Sequence, residues 1–136
     1  MAWWDRQYRE AARWREETLN TLLSVLPEAP WQLGTALSFL QPQPVDLKEP
    51  VRLDLFFHTL PLAVDLLWER DLPDWRKASR HWPNRQLWER SQASLAHKSL
   101  TLGAYRCPYL QLWRHESSTR DALRERLLPL LGRLPD

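Results

Sequence analysis

The sequence predicts a single α/β domain, a small mixed sheet flanked by helices in the order α-β-β-β-α-β-α. A long amphipathic segment opens the chain, two short apolar runs lie close together in its middle, and a second breaker-free segment precedes one more short apolar run. A length of 136 residues allows one core and not two. We therefore expect residues 1–136 to form one domain, with a core of about residues 5–131.

The first predicted element is an amphipathic helix from Asp5 to Leu26. This segment lacks Gly and Pro, and its apolar side chains recur at intervals of three and four residues. Asp5 is placed to cap the start of the helix, and Pro27 follows its end. Glu16 lies three residues before Leu19 and therefore borders the apolar stripe.

Three strands are predicted next. Large and small residues alternate over Trp31–Phe39, which is typical of a strand. Three prolines in residues 41–50 predict an exposed connection. Val51–Phe57 and Leu62–Trp68 are short apolar runs joined by four residues, the pattern of an antiparallel hairpin.

The second half of the chain is predicted to add two helices and one strand. Asn84–Leu102 contains no Gly or Pro and shows a weaker helical stripe that ends at Gly103. Tyr109–Trp113 is predicted to be a short strand. Ser117–Thr119 is placed to cap a last helix that continues through Leu128.

Composition excludes several classes of function. Nineteen basic and 17 acidic residues give a net charge of +2, too balanced to indicate a nucleic-acid binder by itself. Three glycines cannot supply a phosphate-binding loop, and four dispersed His with one Cys show no zinc spacing. With no apolar run of about 18 residues, no signal peptide and a lone Cys107, we expect a soluble cytoplasmic protein without a membrane partner.

The predicted hairpin places two acidic residues opposite each other. If it closes symmetrically about its turn, the numbers of facing residues sum to 119, and Asp54 faces Asp65. Adjacent carboxylates repel unless one is protonated, an Arg intervenes or a divalent cation binds. Mg²⁺ accepts one or two carboxylates and can activate water against a phosphodiester. The pair therefore predicts either a cation site or a solvent-facing pair neutralised by Arg52.

Residues 52–57, RLDLFF, and 62–66, LAVDL, resemble the core hairpin of the PD-(D/E)xK restriction-endonuclease-like superfamily, and are most similar to its small mismatch-repair (Vsr-like) and DUF559 branch. Residues 100–103 and 110–113 resemble later segments of the same family, so that the resemblance spans about residues 8–131. It implies a restriction-endonuclease-like fold and a Mg²⁺-dependent DNA endonuclease, or a degenerate descendant of one. Asp54 and Asp65 match the two metal-binding acids.

The resemblance also implies roles for other side chains. Glu16 would support the metal or the water from the first helix. The position two residues after Asp65, where the family places a Lys, is Leu67 here. The missing positive charge would then come from Arg52, which faces Leu67 across the hairpin, or from Lys98, which reaches over the sheet from the later helix.

An inactive module on the same fold, binding nucleic acid or protein, is the alternative. Leu67 favours it, as do nine Trp residues in so short a chain. We expect four of these rings in or near the core: Trp14, Trp31, Trp88 and Trp113. The others singled out fall at the terminus or in a loop and would need a protein partner or a second copy of the chain: Trp3, Trp4, Trp75 and Trp82.

Overall fold

A computed structural model of the chain describes residues 3–41 and 51–134. The chain has a mixed α/β fold with a four-stranded sheet flanked by helices. The helices and strands are α1 (Trp3–Val25), β1 (Trp31–Thr35), β2 (Leu53–Phe57), β3 (Leu62–Leu67), α2 (Trp75–Ala78), α3 (Arg85–Ala104), β4 (Tyr109–Trp113) and α4 (Arg120–Leu131). Apart from the one-turn α2, this is the predicted order. The connection predicted over residues 41–50 lies, except for its first residue, outside the described residues.

The sheet has the strand order β1-β2-β3-β4. The β1–β2 and β2–β3 pairs are antiparallel, and β3–β4 is parallel. The hairpin pairs Leu55 with Val64 and Phe57 with Leu62, so facing residues sum to 119 as predicted. Because parallel strands need a crossover connection, α3 lies between β3 and β4 in the chain.

Both faces of the sheet are covered. One core cluster joins α1 and α4 to the sheet, and its buried members are Leu22, Val25, Leu26, Leu55, Phe57, Leu62, Val64, Leu66, Leu110, Leu112, Leu123 and Leu127. The second cluster includes α3 and consists of Leu40, Val51, Leu53, Phe56, Ala63, Leu102 and Cys107. Every residue of β3 is therefore buried, as in strands covered on both faces. The alternative of a solvent-facing pair is wrong at Asp65, which is 2% exposed.

The helix starts are explained by local capping, with one correction. The side chain of Asn84 accepts a hydrogen bond from the Leu87 N–H at 3.0 Å, and Thr119 caps α4 in the same way. The first helix already begins at Trp3, so Asp5 lies in its first turn and is not its cap. An acidic side chain there still interacts favourably with the helix dipole. None of the described helices combines the length and apolarity needed to cross a membrane.

The first strand is shorter and more exposed than predicted. It ends at Thr35, because Gly34 has a φ of +58° and a 3₁₀ turn follows at Ser38–Leu40. The alternation through Phe39 is therefore not a continued strand. Trp31 lies on this edge strand and is 45% exposed, which corrects its assignment to the core.

Candidate active site at the open end of the β2–β3 hairpin

Asp54 and Asp65 meet at the open end of the hairpin, next to the paired residues Leu55 and Val64. The Asp54 N–H donates to Oδ1 of Asp65 at 2.9 Å, and the Leu66 N–H donates to Oδ2 of Asp54 at 2.8 Å. Each carboxylate thus accepts a backbone hydrogen bond from the opposite strand. These bonds fix the two side chains side by side, in the arrangement that the hairpin register predicted.

Lys98 reaches this pair from α3. Its Nζ lies 2.5 Å from Oδ2 of Asp65 and 3.1 Å from the carbonyl oxygen of Arg52. Lys98 is 7% exposed and Asp65 2%, so the ion pair is shielded from water. The hydroxyl of Tyr109 on β4 also donates to Oδ2 of Asp65. A buried ion pair is tolerated when further hydrogen bonds satisfy both groups, and here they do.

Asp54 has its own cationic partner, Arg15 of α1. Nη2 of Arg15 lies 2.6 Å from Oδ1 of Asp54, and the two side chains are 38% and 29% exposed. Glu16, the acid expected from this helix, lies on the exposed side of α1 and does not line the pocket. The helix therefore presents a cation to the aspartates and not a third carboxylate.

A pocket of about 140 Å³ opens beside these groups. Arg52 lines it, but its Nη1 donates to the carbonyl of Gly34 at 2.9 Å, and Lys98 is the cation in contact with Asp65. Leu67 is buried at its edge. The remaining lining residues include one more Arg, one more acid and two hydroxyls, namely Arg70, Asp71, Ser91 and Ser94.

Burial controls the acidity of the groups around the pocket. It raises the pKa of Asp54 above the usual value, the charge of Asp65 adds to the rise, and Arg15 opposes it. Burial and the nearby Asp65 also raise the pKa of Tyr109, which therefore remains a protonated donor. Burial also raises the pKa of Asp71, and the positive charge of Arg70 opposes that rise.

Asp54 and Asp65 are the two carboxylates at the pocket that could share a cation. Within residues 3–41 and 51–134, no group of three or more His, Cys, Asp or Glu side chains is arranged around a metal position. A carboxylate offers about four lone pairs. Asp54 accepts two hydrogen bonds and Asp65 three, which leaves acceptor capacity on both. Sites for Mg²⁺ in proteins often use one or two carboxylates, with water and substrate phosphate as the other ligands.

The loop tryptophans already have partners within the fold. Nε1 of Trp82 donates to the carbonyl of Arg70 at 2.7 Å. The ring centroids of Trp75 and Trp88 are 5.3 Å apart. Both loop rings are half-buried, and their contact with an external partner stays a prediction. The side chains of Trp3 and Trp4 lie outside the described part of the structure.

No known protein family, curated protein or solved structure matches this chain. Its site must therefore be judged by its own geometry. Among the side chains that the sequence singled out, Asp54, Asp65 and Lys98 come together in the structure. Sequence reasoning missed Arg15, which carried no distinguishing signal, and Tyr109. The parallel pairing of Asp65 with Gln111 places Tyr109 two residues away on the same face, a relation that depends on knowing the register.

Proposed function

We propose that this chain has a restriction-endonuclease-like fold and hydrolyses phosphodiester bonds of DNA with Mg²⁺ held by Asp54 and Asp65. The observation that carries the proposal is the contact of Lys98 with Asp65 at 2.5 Å, beside Asp54. Two carboxylates and an ammonium thus lie at one pocket. This is the chemical set that the resemblance implies, although Leu67 replaces the usual lysine and the ammonium comes from another element.

Each of these side chains has a role that its contacts support. Asp54, partly exposed to the pocket, and Asp65 would be the ligands of the cation, which when bound lowers the pKa of a water and polarises a phosphate. Tyr109 and the backbone hydrogen bond fix the orientation of Asp65. Lys98 supplies a positive charge where the attacked phosphate gains negative charge.

The polarity of the pocket also supports an anionic substrate. Four cationic side chains line it against three acidic ones. With all of them ionised the pocket has a net positive charge, which attracts a phosphodiester even before a cation is added. Arg15 contacts Asp54 from a partly exposed position, so it can turn from the carboxylate to a substrate phosphate.

The proposal is tested by nicking of supercoiled plasmid DNA with Mg²⁺ or Mn²⁺. Asp54→Asn should lower the rate at least about 100-fold, because it removes one ligand charge, while its amide oxygen still accepts from the Leu66 N–H. Asp121→Asn makes the same chemical change at an exposed position on α4 and should leave the rate unchanged. Equal nicking by the wild type and Asp54→Asn would refute the assignment.

A second candidate function is supported by a different observation. All four carboxylate oxygens of the pair already accept hydrogen bonds from the chain. Lys98 and Arg15 thereby supply the neutralisation that a cation would otherwise provide. This favours a catalytically inactive nucleic-acid-binding or protein-interaction module. In that case Mn²⁺ would not raise the melting temperature, and Asp54→Asn would leave DNA binding unchanged.

A further inference from the structure

Four cations line the pocket, and three of them are engaged with the protein. Arg15 bonds Asp54, Lys98 bonds Asp65, and Arg52 donates to a backbone carbonyl. Arg70 differs, because its guanidinium donates no hydrogen bond to any residue in the described ranges. Its nearest carboxylate contact is 3.6 Å long, from Nε to Oδ1 of Asp71.

Arg70 is nevertheless held firmly in place. Its guanidinium carbon lies 5.9 Å from the ring centroid of Tyr8, 5.6 Å from that of Trp68 and 5.7 Å from that of Trp82. The indole of Trp82 also bonds the Arg70 carbonyl. These three rings, together with Asp71, restrict the side chain by cation–π and charge interactions. The position of the guanidinium is therefore set before any ligand arrives.

Arg70 lines the pocket without a hydrogen-bond acceptor for its guanidinium among the described residues. Nε is shielded from solvent and lacks an acceptor among the described residues, whereas the side chain as a whole is 34% exposed and lines the pocket. Donors left unpaired in a partly buried site are costly unless a ligand or water accepts them. A planar guanidinium in this state matches two oxygens of one phosphate.

We propose that Arg70 binds a backbone phosphate of a DNA strand, adjacent to the phosphate placed at Asp54 and Asp65. Taking DNA as the ligand rests on the function proposed above, but the binding itself needs no metal. The aromatic rings fix the guanidinium, so little side-chain entropy is lost when the phosphate binds. Arg70 is thus the anchor that sets the position of the strand along the pocket.

The test is the binding of a fluorescein-labelled DNA duplex in EDTA, followed by fluorescence anisotropy over a series of salt concentrations. Arg70→Met should weaken binding about tenfold and reduce the slope of log K against log salt concentration by about 0.9, the loss of one phosphate contact. Arg85→Met is the matched control. Arg85 also lies over an indole, that of Trp88 at 5.9 Å, and pairs with Glu89, but it does not line the pocket.

Unchanged affinity and slope in Arg70→Met would overturn the inference, as would the absence of wild-type binding. If circular dichroism shows that Arg70→Met is unfolded, the same binding assay is carried out with Arg70→Lys. This variant keeps the charge but not the planar fork, and should bind at least about threefold more weakly. Equal binding by Arg70→Lys would then overturn the inference. If Arg70→Met weakens binding while the wild type nicks no plasmid, the hydrolytic function fails and the phosphate site stands.

Discussion

Replacing Lys98 by Met tests how strongly the buried Asp65 carboxylate depends on its cation. Lys98 and Asp65 are 7% and 2% exposed, and their charged atoms lie 2.5 Å apart. Met keeps much of the side-chain volume and leaves the Asp65 carboxylate without its cation. Loss of one partner of a buried pair typically costs about 3–5 kcal/mol. Asp65 keeps its hydrogen bonds from Tyr109 and the Asp54 N–H, so we expect about 3 kcal/mol, the lower end of that range.

The assay is urea denaturation at pH 7, with the free energy of unfolding extrapolated to water. Combining Lys98→Met with Asp65→Asn removes both charges and should recover much of the loss, because the neutral amide needs no counterion. The double variant should therefore be more stable than Lys98→Met alone. A loss below about 1 kcal/mol in the single variant, or a purely additive loss in the double variant, would show that Asp65 does not depend on the charge of Lys98.

Three further predictions follow from the contacts around the pocket. Tyr109→Phe removes a hydrogen bond to the buried Asp65 carboxylate and should cost about 2 kcal/mol in urea denaturation. Burial raises the pKa of the Asp71 carboxyl in the folded chain. The folded state therefore binds this proton more tightly than the unfolded state, and the stability of the wild type falls as the pH rises through the raised pKa. The stability of Asp71→Asn relative to wild type should be greater at pH 7 than at pH 4, and an unchanged difference would contradict the raised pKa. Arg15→Ala should lower the free energy of unfolding by less than about 1 kcal/mol in the same assay, because the side chains of Arg15 and Asp54 are 38% and 29% exposed. A loss above about 2 kcal/mol would contradict the assignment of this pair as a solvent-screened one.

The pairing of the two aspartates could be predicted because it depends on local sequence. A four-residue connection between two short apolar runs determines the register of the hairpin, and the register determines which residues face each other. Asp54 and Asp65 therefore meet as predicted. Lys98 could be proposed because it lies on the helical stripe of α3, and a helix between parallel strands crosses over the sheet.

Burial and the partners from distant elements could not be predicted in the same way. Asp65 is buried because helices cover both faces of the sheet, a consequence of tertiary packing that the alternation along β3 does not reveal. The rotation of α1 against the sheet decides that Arg15 faces Asp54 while the neighbouring Glu16 faces solvent. Adjacent residues on a helix point about 100° apart, so that rotation decides which of the two reaches the aspartates. Trp82 finds its partner in Arg70, 12 residues earlier in the chain.

The proposed function requires Asp54 and Asp65 to hold a divalent cation beside Lys98. Anomalous diffraction from crystals soaked in Mn²⁺ would show whether they do. We expect a strong anomalous peak at coordination distance from both carboxylates in the wild type, and its loss in Asp54→Asn crystals grown and soaked in the same way. Wild-type crystals without a peak at the pair, with Arg15 and Lys98 still bonded to the two aspartates, would contradict it.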